Sequence, residues 1–189
     1  MSGTLAPGVA PGRKLRPAAV RLGMSVAVAI VVLDQLSKWW MLTQVMNPPR
    51  VIRIAPFFNL VYAWNRGISF GVFNTDADWN RWVLPAVAVI ICVALAVWLA
   101  RSTHWVVTVG LAMIIGGALG NVIDRVRFGA VYDFLDVHVV GWHWPAFNVA
   151  DSAISIGVAL LILDSLFAIG ERRTTKAWEQ DAGKRGSTG

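Results

Sequence analysis

The chain has 189 residues, of which 56% are hydrophobic, against about 45–50% in ordinary soluble domains, so lipid is its expected solvent. The formal charge of +6 does not mark a nucleic-acid binder, because the basic residues sit at the ends of apolar runs instead of forming a stripe interleaved with aromatics. The single cysteine, Cys92, lies inside the run ICVALAVW; an internal disulfide and a cysteine metal cluster are excluded, and no basic neighbour activates the thiol.

Residues 1–19, rich in Gly, Pro and basic side chains, read as a disordered cytoplasmic tail. Four apolar segments follow, roughly Leu22–Met41, Trp82–Ala100, Trp105–Ile123 and Phe147–Ile169. At a rise of about 1.5 Å per residue, each can cross a hydrocarbon core about 30 Å thick. Lipid cannot satisfy backbone amides, so such segments cross as helices. The first is too long for a cleavable leader, and Asp34 and Lys38 stand where a small-residue cleavage site would be needed.

Between spans 1 and 2, VIRIAPFFNLVYAWN reads as short strands of β-branched and aromatic residues broken at Pro56. The stretch DADWNRW could add a short interfacial helix before span 2. Residues 171–189 read as a second disordered cytoplasmic tail. The expected fold class is therefore an all-α membrane protein. It is a four-transmembrane-helix bundle in a single domain over 20–170, with a small β-containing extracytoplasmic element in the first external loop. Ten tryptophans suit the headgroup layer, where one edge of an indole is wet and the rest dry.

Lysine and arginine placement sets the expected orientation. The two tails and the short turn after span 2 carry ten, and the two longer loops carry six. The positive-inside rule then puts both termini in the cytoplasm and both longer loops outside.

Ionisable side chains near the bilayer core cost about 2.5–3.5 kcal/mol on insertion scales, so each needs a partner or a task. Glu171, Glu179, Asp181, Asp76 and Asp78 read as solvated surface. Asp34 and Lys38 are four apart on one helix face and read as an ion pair near the outer end of span 1. Asp124, in GGALGNVIDR at the end of span 3, reads as a structural residue paired with the adjacent Arg125. Asp164, deep in span 4, has no local partner in the sequence. His138 and His143 are five apart, which is not the helical spacing of a zinc motif, and they read as interfacial packing or hydrogen-bonding groups.

Asp133, in GAVYDFLD just beyond span 3, and Asp151, in AFNVADS at the start of span 4, are expected at one depth near the outer interface. Two helices that leave and re-enter at one face can bring such carboxylates together. Like charges a few Å apart cannot both ionise cheaply, so the pair keeps one proton. One member then takes a proton from an attacking water while its protonated partner polarises a carbonyl. Spacing alone leaves open that the two aspartates are independent caps.

Four stretches together resemble the lipoprotein signal peptidase family, also called signal peptidase II. They are DQLSK (34–38), WNRGISFG (64–71), GGALGNVIDRVRFGAVYDF (116–134) and FNVADS (147–152), in the family's order. The resemblance implies an inner-membrane aspartic endopeptidase without metal or cofactor. Its catalytic pair falls on Asp133 and Asp151, and Asn65, Gly67, Asn121, Arg125 and Asn148 line or brace the site, with Asp34, Lys38 and Asp124 as further braces. It also implies a prolipoprotein substrate carrying a diacylglyceryl group, cut just before the lipidated cysteine at the level of the outer interface. Membrane phospholipid is the expected surrounding and a monomer the expected state. Ser69 departs from the alanine more usual at its position, and Asp136 has no motif counterpart. Two other classes stay open on the residues alone: a channel subunit whose aspartates line an ion path, and a membrane enzyme of another kind.

Overall fold

The computed structural model describes residues 16–67 and 80–186, with backbone only at 80–81 and 168–186. Helix α1 (Pro17–Trp40) runs into one wide turn at Met41–Val45, then come strands β1 (Ile52–Ala55) and β2 (Phe58–Asn65). Helices α2 (Asn80–Ala100) and α3 (Trp105–Phe128) are followed by β3 (Val131–Val139), the short β4 (Trp142–His143) and α4 (Val149–Gly186). Four of these helices contain a stretch long and apolar enough to cross a membrane: Pro17–Val45, Trp82–Ala100, Trp105–Phe128 and Val149–Phe167.

The bundle is apolar outside as well as in. Val28, Val32, Leu36, Val87, Ile90 and Ile91 are exposed on α1 and α2, where lipid replaces water as the surrounding medium. Helix α3 is the inner element and packs against the other three. Its small residues permit this. A Cβ on Gly116 would lie 2.7 Å from the Ala27 carbonyl oxygen of α1, and one on Gly117 would strike the Ala150 carbonyl oxygen of α4.

The sheet is antiparallel in the order β1-β2-β3-β4. This corrects the sequence expectation, which confined the β element to the first external loop. Half of its strands come from the second loop, because VYDFLDVHV supplies the β-branched and aromatic residues that a pleated surface favours. Its inner cluster is Met41, Met46, Tyr132 and Phe134. The β1–β2 hairpin breaks at Pro56 and Phe57, as expected.

Boundaries also move, and helix α1 begins at Pro17, five residues before Leu22 and inside the segment read from composition as a disordered tail. Helix α3 continues five residues beyond Ile123 and stops at Gly129, whose φ of 73° suits a residue without a Cβ. The backbone of α4 stays helical to Gly186, through most of the tail read from composition as disordered. Asp76, Asp78, Ser69 and most of DADWNRW lie outside the described residues.

Candidate active site

Asp133 and Asp151 are far apart in sequence, and β-pairing closes the gap. Phe147 forms a bridge with Leu135, its amide donating to the Leu135 carbonyl at 3.0 Å and its carbonyl accepting from the amides of Phe134 and Leu135 at 3.1 and 2.9 Å. The chain entering α4 thus runs antiparallel to β3. That places Asn148, the residue before α4, beside Asp133.

Asn148 and Asp151 form a reciprocal helix cap. The Asp151 amide donates to Asn148 Oδ1 at 3.0 Å, and the Asn148 amide donates to Asp151 Oδ2 at 3.2 Å. This is the capping-box arrangement, with Asn and Asp in place of Ser/Thr and Glu/Gln. The Asn148 side-chain amide donates to Asp133 Oδ1 at 2.8 Å, and also approaches the Asn121 Oδ1 at 3.2 Å. Asn121 Nδ2 in turn donates to Asp151 Oδ1 at 2.8 Å. One residue therefore holds both carboxylates, and a second amide from α3 braces it.

Asp133 is 3% exposed. Burial pushes its carboxyl up to about 6, the neighbouring Asp151 adds to this, and hydrogen bonds from Asn148 and Asn65 with the charge of Lys38 oppose it. Asn65, at the end of β2, thus reaches Asp133. Its Oδ1 also accepts from the Gly67 amide at 3.1 Å. Gly67 has φ of 117°, and a Cβ there would meet Leu84 at 2.8 Å, so the turn needs glycine on two counts.

Arg125 lies within electrostatic reach of Asp151, Asp133 and Asp124. One of its terminal nitrogens reaches the Asn121 carbonyl at 3.5 Å, and among the described residues its buried Nε has no hydrogen-bond partner.

Beneath the pair lies a buried ion cluster. Lys38 Nζ is 2.8 Å from Asp34 Oδ2 and 2.8 Å from Asp124 Oδ2, and donates to Asn121 Oδ1 at 3.1 Å. The Asp34–Lys38 pair is as the sequence predicts. The expected Asp124–Arg125 pairing is corrected: Lys38 is the partner, because Asp124 lies inside α3 and faces α1. Asp34 Oδ1 also accepts from the Ala150 amide at 3.0 Å, and Asp124 Oδ2 from the Tyr132 amide at 3.3 Å, so the cluster anchors the starts of both α4 and β3.

Sequence reasoning missed Gln35, which donates to Asp124 Oδ1 at 2.9 Å and to the Gly120 carbonyl at 3.2 Å; an amide inside an apolar span was the available signal. Asp136, left without a role, accepts from Asn59 Nδ2 at 2.8 Å and pairs with His143 Nδ1 at 2.8 Å. Burial raises its carboxyl, and these partners outweigh that and hold it below the usual range. His138 stacks on His143 with ring centres 4.7 Å apart. His143 thus serves hydrogen bonding and packing, and His138 packs against it.

Residues 26–167 match the family model described as Signal peptidase (SPase) II. The chain belongs to the signal peptidase II family. Its relatives include a lipoprotein signal peptidase of Methylorubrum extorquens, 46% identical over 78% of this chain and 87% of that protein. Another, from Paraburkholderia phymatum, is 47% identical over 76% and 86%. A bacterial membrane enzyme solved by the in meso method at 1.9 Å superposes with a TM-score of 0.69, at 30% identity, covering 82% of this chain and 97% of that one. Membership of signal peptidase II makes this chain a multi-pass membrane peptidase.

Proposed function

We propose that this protein is an aspartic endopeptidase that removes the signal peptide from diacylglyceryl-modified prolipoproteins, cutting just before the lipidated cysteine. Asp133 and Asp151 are its catalytic pair. The observation that carries the reading is the sharing of Asn148 by both carboxylates, because a pair held on one residue has a fixed separation in which a water can be positioned. One carboxylate takes a proton from that water as it attacks the scissile carbonyl, and the other, protonated, donates to the carbonyl oxygen. The pair titrates as a unit.

The other side chains position these groups. Asn65, Asn121 and Asn148 orient the carboxylates, Gly67 shapes the turn beside them, and Arg125 offers a donor to substrate. Asp34, Lys38 and Asp124 fix the helix and strand ends that carry the pair. Both termini lie in the cytoplasm and the pair faces the extracytoplasmic side, as the charge of the flanks requires. The enzyme acts as a monomer within membrane phospholipid. Acyl chains on the substrate cysteine hold the scissile bond at the depth of the pair, which supplies orientation.

The test is cleavage of a diacylglyceryl-modified precursor and its unlipidated form by purified enzyme. The lipidated form is expected to be turned over at least tenfold faster. Equal turnover of the two removes the proposed role of the lipid.

A further inference from the structure

Asp164 stands apart from the site described above. It lies about 22 Å along α4 from Val149 at about 1.5 Å per residue, five residues before Ile169, where the apolar run of the sequence ends. Among the described residues it makes no hydrogen bond or ion pair. A carboxylate at such a depth is costly unless something meets it.

Asp164 lines a cavity of about 700 Å³ together with Arg101, Thr103 and His104 of the α2–α3 turn, and Val97 and Trp98 of α2 supply apolar surface. Arg101 is exposed and forms no ion pair with Asp164. The adjoining start of α3 has no side-chain cap, and the hydroxyls of Ser102 and Thr108 donate to the His104 carbonyl at 3.0 and 3.1 Å. The cavity is thus lined by both a carboxylate and a guanidinium that do not pair with each other, the guanidinium beside a helix end that favours anions.

We propose that this cavity binds the headgroup of a zwitterionic phospholipid bearing a primary ammonium, in the leaflet opposite the Asp133–Asp151 pair. The phosphate meets Arg101 and the start of α3, the ammonium meets Asp164, and an acyl chain lies along Val97 and Trp98. A lining that holds both charges unpaired with each other matches a molecule that carries both; a free phosphate or a simple cation satisfies one of them only. A primary ammonium donates hydrogen bonds to a carboxylate, which a trimethylammonium cannot. The proposal needs nothing from the peptidase reading.

Native mass spectrometry of the detergent-solubilised full chain, titrated with phosphatidylethanolamine, phosphatidylcholine or phosphatidylglycerol, tests it. Wild type is expected to hold the first at least fivefold more than either other. Asp164→Asn is expected to reduce phosphatidylethanolamine binding to the level of the other two while precursor cleavage is unchanged, and Arg101→Gln to weaken all three. Equal retention of the three lipids by wild type overturns the proposal without recourse to any variant, and so does a preference that survives Asp164→Asn.

Discussion

The side chain of Asn148 has two separable tasks. Its Oδ1 caps α4 through the Asp151 amide, and its Nδ2 holds Asp133. Asn148→Ser keeps a capping oxygen and loses the amide donor, whereas Asn148→Ala loses both. Thermal unfolding is expected to show Ala destabilised by about 1 kcal/mol and Ser much less, while both lose cleavage activity by at least tenfold. Equal activity of Ser and wild type would contradict the positioning of Asp133. Asp133 itself sets a pH dependence. Its carboxyl is raised from 3.8 to about 6 by burial and by Asp151, so the native state favours its neutral form. The stability this confers is complete below about pH 4 and is lost as pH rises through 6. Asp133→Asn is therefore expected to unfold at higher temperature than wild type at pH 7 to 8, with the difference vanishing near pH 4. A difference that grows on acidification would contradict the assignment.

The helices were legible because an apolar run long enough to cross lipid has one outcome. Boundaries and strands were less so. Val131–Val139 carries two aspartates and a histidine, and their polarity reads as loop; only pairing with β2, which places Ala63 opposite Asp133 and Asn65 opposite Val131, makes it a strand. The glycines of GGALG announced close packing, but not that Gly116 meets α1 and Gly117 meets α4. Gly117→Val is expected to separate α3 from α4, lower the unfolding temperature and reduce cleavage together, because α4 carries Asp151. Gly141, with open space around it, serves as the comparison: Gly141→Ala is strained at its φ of 81° yet distant from the pair, and is expected to retain far more activity.

Across the whole molecule, the Lys38 cluster joins what the membrane would otherwise leave as independent helices. Asp34 and Lys38 of α1 meet Asp124 of α3, and the same carboxylates hold the amides of Ala150 and Tyr132. The sequence predicts the local i,i+4 pair but not the third member, since helix-to-helix facing is a tertiary property. Lys38→Met leaves two buried carboxylates uncompensated and is expected to destabilise the fold by about 3–5 kcal/mol, read as a loss of unfolding temperature in detergent. Asp133 and Asp151 were named as a pair from their depth and motif positions; the means of joining them, through Phe147 and Asn148, required the strand.

Catalysis by the two carboxylates as one unit is the claim on which the functional account stands. The most direct measurement is kcat/KM on a diacylglyceryl-modified precursor for Asp133→Asn, Asp151→Asn and the double variant, each confirmed as folded in the membrane. Each single variant is expected to lose about a hundredfold to ten-thousandfold, and the double variant no more than the worse single one, because removing either member disables the pair. Retained activity in either single variant, or losses that multiply in the double variant, would contradict it.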